Sequence, residues 1–119
     1  MSRRLRGWGP ALLWAAVLFW LSSRPTVPGP DLPGLDKLAH FAAYALLGAL
    51  LSHGARRSGV AAPWIVGAGW LYALSDEVHQ GFVPGRSPEA ADWLADAVGV
   101  LFGIFVHTRW LARAPYAEA

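Results

Sequence analysis

Cysteine is absent from these 119 residues, methionine occurs once, and Asp, Glu, Lys and Arg together make up only 15%. Without cysteine there is no disulfide scaffold, no thiol nucleophile and no thiolate metal site. So little charge on so apolar a chain also excludes intrinsic disorder, which needs the reverse balance. The ten basic residues are scattered between apolar runs, so the formal charge of +2 does not form a basic face and no nucleic-acid partner is expected. Two catalytic signatures are missing as well: H-E-x-x-H for a helical zinc site and G-x-S-x-G for a nucleophilic serine.

What the chain has is apolar surface. Hydrophobic residues make up 55%, seven residues are Trp, and mean hydropathy is +0.33. Such values place it among membrane proteins and its length allows one domain, 1–119. Four apolar stretches predict spans at about 7–23, 37–55, 59–77 and 89–108. Each is near the short end of what crosses about 30 Å of hydrocarbon at about 1.5 Å per residue. A soluble helical core is the alternative, but four helices with almost no polar face leave nothing to meet water. The expected fold class is therefore all-α, an up-down bundle of four transmembrane helices.

The links differ in character. Residues 24–36 hold four Pro and two Gly, which excludes a helix there. A tight turn is expected around Arg56–Ser58, and Gly81–Pro88 reads as a turn-rich link, with Ser87 as N-cap and Pro88 at the first position of the last helix. The first span follows basic residues as a secretory signal would, but L-S-S-R-P offers no small-x-small cleavage site, and Arg3-Arg4 lacks the rest of a twin-arginine signal. It is read as a retained helix.

Basic residues set the orientation. Arg3, Arg4, Arg6, Arg56, Arg57, Arg109 and Arg113 fall on one side, which marks the cytoplasm, and Arg24, Lys37 and Arg86 on the other. Acids fall the opposite way: Asp31, Asp36, Asp76, Glu77, Glu89, Asp92 and Asp96 lie on the outer half and Glu118 inside. The expectation is a multi-pass protein of the bacterial cytoplasmic membrane, with both termini cytoplasmic and the lipid bilayer as its first partner. Trp8, Trp20, Trp64, Trp93 and Trp110 suit interfacial anchoring, whereas Trp14 and Trp70 lie mid-span and fill helix contacts.

Chemistry is sought in residues that break the apolar rule, because an ionisable group inside a span is costly unless it faces a partner or a wet cavity. Lys37, His40 and Tyr44 follow i, i+3, i+7 on one helix face. Glu77 and Gln80 are i, i+3 on the next, and Asp92 and Asp96 are i, i+4 on the last. Gly99 and Gly103 continue that last face as a G-x-x-x-G that admits close helix approach. Arg86 is placed to reach the same region.

Three blocks, D-K-L-A-H-F-A-A-Y-A-L-L-G (36–48), E-V-H-Q-G-F-V-P-G-R-S (77–87) and D-W-L-A-D-A-V-G (92–99), make the chain resemble the VanZ-like membrane proteins. They follow that family's K-x-x-H, E-x-x-Q-x-F-x-P-G-R and D-x-x-x-N-x-x-G in order across most of the chain. The resemblance implies a four-span envelope protein, with Lys37, His40, Glu77, Gln80, Arg86 and Asp92 as functional candidates and a link to teicoplanin resistance. Asp96 stands where the family often has Asn. A carboxylate there changes the hydrogen-bond pattern unless it holds a proton.

With His40 neutral, Lys37 and Arg86 against Glu77, Asp92 and Asp96 leave the cluster at −1, balanced enough for a paired network. Four readings stay open. The first is an outward polar cleft that binds a lipid-linked cell-wall or glycopeptide-type amphiphile through Lys37, His40, Glu77, Gln80, Arg86, Asp92 and Asp96. The second is a small membrane enzyme in which Glu77, Asp92 or His40 acts as acid or base and Arg86 stabilises negative charge. The third is a proton path, and the fourth a network that only glues helices together. No cofactor and no metal is expected, since Glu77 and His79 point roughly 200° apart around a helix.

Overall fold

The computed structural model describes residues 2–24 and 34–111, and the chain there is all-helical. Helix α1 runs Arg3–Ser22, α2 Leu35–Ser58, α3 Ala62–Gln80 and α4 Ala90–Val106, which widens into a π turn, His107–Leu111. Asp31, Arg113, Glu118 and the Pro-rich stretch 25–33 lie outside the described residues.

Local chemistry explains the boundaries. Gly59 takes φ 71°, a left-handed conformation open to glycine, and closes α2 as Val60 N–H donates to Ala55 O at 3.0 Å. Arg56 and Arg57 sit in that last turn, where cations suit the helix dipole. Pro63 opens α3, a position at which its missing N–H costs nothing.

Two expected boundaries shift. The turn between α2 and α3 falls at 59–61, because the helix continues through Arg56–Ser58 until Gly59 permits the reversal. The last helix begins at Ala90, not Pro88. Glu89 is its N-cap residue, its own backbone N–H held by Glu77 Oε2 at 3.0 Å, so Ser87 and Pro88 stay extended.

Packing is closest between α2 and α4. A Cβ on Gly103 would run into the Ala45 carbonyl oxygen, one on Gly99 would lie 2.5 Å from Phe41 O, and one on Gly48 would strike Val100 O. The G-x-x-x-G face and Gly48 thus let the two backbones touch. Helices α1 and α3 lie against this pair and are fastened by side chains. Trp14 Nε1–H donates to Ala43 O at 2.8 Å, Trp70 Nε1–H to Ala97 O at 3.1 Å, and the Tyr72 hydroxyl to Ala15 O.

The polarity of an ordinary soluble domain is reversed. Large apolar side chains such as Leu12, Leu13, Phe19, Leu71, Val78 and Phe105 point outward, while Ser52, Asp76, Glu77, Gln80, Asp92, Asp96 and His107 are buried. Two helical segments, Leu35–Ser58 and Ala90–Leu111, are long and apolar enough to cross a membrane. Helix α3 falls short because its last turns carry Asp76, Glu77, His79 and Gln80. The helices alternate in direction, so Arg6, Arg56, Arg57 and Arg109 share one end, and Lys37, Arg86 and the acids of 76–96 share the other.

Candidate functional site

Helix α2 carries three hydrogen-bond donors on one face, Lys37, His40 and Tyr44, spread over about 10 Å of axis at about 1.5 Å per residue. Each meets a carboxylate from a neighbouring helix, which makes a ladder from rim to floor. At the rim, Lys37 Nζ lies 2.7 Å from Asp36, 2.8 Å from Glu89 and 2.7 Å from Asp92. One turn deeper, His40 Nδ1 lies 2.7 Å from Asp96 Oδ1, and Nε2 lies 3.8 Å from Asp92 Oδ2, an electrostatic approach too long for a hydrogen bond. On the floor, the Tyr44 hydroxyl donates to Asp76 Oδ2 at 2.7 Å. Tyr44 and Asp96 are sealed from solvent, at 1% and 0% exposure.

The end of α3 closes the ladder from the side. Adjacent residues on a helix do not share a face, and Asp76 accordingly reaches α2 while Glu77 reaches the start of α4. Apart from Asp92 Oδ1, which Lys37 neutralises at 2.7 Å, three buried carboxylate oxygens, Asp76 Oδ1, Glu77 Oε1 and Asp96 Oδ2, have no hydrogen-bond partner. Burying such an atom unpaired costs a few kcal/mol in general. Outside a functional context, this many together is unusual.

Beside the ladder lies a cleft of about 540 Å³. Its lining combines apolar side chains, Leu18 and Leu21 of α1 and Ala39 and Ala43 of α2, with polar ones, among them His40, Asp76, Gln80, Arg86 and Asp92. Of the residues expected from sequence, His40, Gln80, Arg86 and Asp92 therefore line the cleft, while Glu77 and Asp96 are buried behind it and Lys37 stands half-exposed at the rim. Arg86 does not reach Glu77; its Nη1–H donates to Arg24 O at 2.8 Å. His79 turns away, stacked on Phe19 at 4.7 Å between centroids and 2.9 Å from Ser23 Oγ.

Asp76 is the member that sequence reasoning passed over, because Glu77 was assigned the inward face and its neighbour was not. The available signal was Tyr44, whose hydroxyl one turn below His40 needs a buried acceptor. Glu89 was also missed; it joins through Lys37 and through its own backbone N–H. The inward carboxylates are thus Asp76, Glu77, Asp92 and Asp96, and among the described residues Lys37 is the one Lys or Arg that ion-pairs with any of them.

The ladder does not continue through the bundle. Below Tyr44 the interior is Leu47, Ala73, Val100 and Ile104, and polar side chains return only at the far end, where His107 Nδ1 lies 2.8 Å from Ser52 Oγ. About 12 Å of helix separates Tyr44 from Ser52.

The family model described as VanZ/LLP1 matches residues 8–112, nearly the whole chain. No curated protein and no solved structure matches it.

Proposed function

The chain belongs to the VanZ/LLP1 family, and from that premise we propose that it is a four-span envelope membrane protein whose outward cleft binds the polar head of an amphiphile. The observation that carries this reading is the mixed lining of the cleft, with leucines of α1 beside charged and amide groups of α2, α3 and the α3–α4 link. An acyl or prenyl chain suits the leucines. A head group that offers donors as well as acceptors suits the polar part, where Asp76 and Asp92 accept, Arg86 supplies a planar donor fork and Gln80 is both donor and acceptor. Outward-facing apolar side chains and the gathering of Arg6, Arg56, Arg57 and Arg109 at the opposite end support four spans, with the cleft on the outer side. The ligand class is a lipid-linked cell-wall intermediate or a glycopeptide-type antibiotic, as the link of VanZ-like proteins to teicoplanin resistance suggests.

The test is binding of a polyprenyl-phosphate lipid and of teicoplanin to the chain in nanodiscs. Arg86→Ala should weaken one of them by about tenfold, which corresponds to about 1.4 kcal/mol, with the melting temperature held. Equal binding by both proteins sinks the reading.

A second reading has its own observation. His40 is held at Nδ1 by a sealed carboxylate while its ring edges the cleft, the arrangement of an oriented acid–base histidine. In that reading His40 and Asp92 handle protons and Arg86 stabilises developing negative charge. Mass analysis of envelope lipids incubated with the purified chain separates the two, since only an enzyme leaves a changed product that His40→Gln abolishes.

A further inference from the structure

Behind the cleft wall, His40 of α2, Glu77 of α3 and Asp96 of α4 converge so that one donor atom from each lies within 4.8 Å of the others. Glu77 and Asp96 are 5% and 0% exposed, and each keeps one oxygen, Oε1 and Oδ2, without a hydrogen-bond partner. Neither forms an ion pair with Lys or Arg among the described residues. Asp76 adds a further buried and unpartnered oxygen, Oδ1, at the same end of α3. Buried carboxylates in this number are stable only when they are protonated or meet positive charge, from His40 or from a bound cation. Geometry restricts what that ion is, because the three donors come from three different helices and surround a common point.

We propose that His40, Glu77 and Asp96 form a binding site for one divalent transition-metal cation, which ties α2, α3 and α4 together at the outer end of the bundle. Ligand atoms about 2.1 Å from a shared ion are at most about 4.2 Å apart. The three side chains therefore have to close on the ion by up to about 1 Å, and the ion would take the place of the proton that His40 Nδ1 and Asp96 Oδ1 share at 2.7 Å. One imidazole nitrogen with two carboxylate oxygens and no sulfur suits Zn²⁺ or Mn²⁺ better than the all-oxygen preference of Ca²⁺ and Mg²⁺. Two carboxylates neutralise the dication, so its burial leaves no net charge among the three ligands. Asp96 gains a specific meaning in this site. Asn offers a neutral oxygen at that position, whereas Asp adds a full negative charge and a stronger ligand. Asp36, Glu89 and Asp92 also lie close together at the rim, but Lys37 already occupies their middle at 2.7–2.8 Å.

The site is tested without any lipid or antibiotic, so its failure is separate from failure of the cleft reading. The full chain in nanodiscs, stripped with EDTA, is titrated with Mn²⁺ and followed by electron paramagnetic resonance, with Zn²⁺ as competitor. The expected result is one Mn²⁺ per chain, displaced by Zn²⁺, with a rise in melting temperature on loading. Glu77→Gln and Asp96→Asn should each weaken binding by at least about tenfold. Glu89→Gln, at the rim, should leave it within about twofold. If Asp96→Asn does not fold, Glu77→Gln and His40→Gln carry the comparison. The proposal is overturned by an absence of saturable binding up to about 1 mM, or by binding that survives Glu77→Gln and disappears in Glu89→Gln.

Discussion

The two halves of this bundle are built from the same four helices and held together in opposite ways. In the half that ends at Arg56 and Arg109, α2 and α4 meet through glycine, with Gly48 and Gly103 against the carbonyls of Val100 and Ala45. In the other half, where Gly99 still lies against Phe41 O, the same two helices are joined by side chains as well, Lys37 to Asp92 and His40 to Asp96. At those glycines the two backbones leave no room for a side chain. The carboxylate ladder leaves three oxygens without partners beside a cleft of about 540 Å³. The difference divides the axis: the glycine half fixes the approach of α2 and α4, and the carboxylate half, which leaves polar atoms unpaired at some cost in stability, is where the proposed binding would take place.

Variants can break this division. The largest effect should come from Gly103→Leu, whose side chain has to displace the Ala45 carbonyl; a loss of about 3 kcal/mol or more is expected. Thermal unfolding followed by circular dichroism should show it, and both halves should fail together. Tyr44→Phe comes next. It leaves Asp76 with neither oxygen paired and should cost about 1–3 kcal/mol. Its position between the halves predicts a change in cleft binding as well. Ser52→Ala removes the partner of His107 at the glycine end and should cost about 1 kcal/mol, with Mn²⁺ affinity untouched. If affinity falls too, the two halves are coupled and the division is wrong. Glu89→Gln should change least, moving the melting temperature by no more than about 2 °C, because exposed ion pairs contribute little.

The architecture was legible in the sequence where chemistry is local. Four apolar stretches gave four helices, and Lys37, His40 and Tyr44 declared a common face by spacing alone, whereas the reversal expected at Arg56–Ser58 falls one turn later, at Gly59. What spacing cannot supply is the partner across the gap. The sequence places Arg86 within reach of the polar faces, yet its guanidinium turns to the Arg24 carbonyl, and Glu77 accepts from the backbone N–H of Glu89. Metal-ligand spacing is subject to the same limit: Glu77 and His79 diverge on one helix, whereas His40, Glu77 and Asp96, whose donor atoms converge, come from three helices, 37 and 19 residues apart in the chain. Ser87 and Pro88 read as a helix start on their own. A carboxylate twelve residues earlier in sequence, Glu77, decided otherwise.

The indole of Trp14 has one more implication. Its N–H is fastened to the Ala43 carbonyl, and one turn further along α1 stands Leu18, a wall of the cleft that faces Ala43 and Tyr44. A guest that pushes α1 outward must strain that single bond. The emission of Trp14, isolated by replacing the other tryptophans with phenylalanine, then becomes an optical gauge of occupancy built into the chain, readable without labelling either protein or guest.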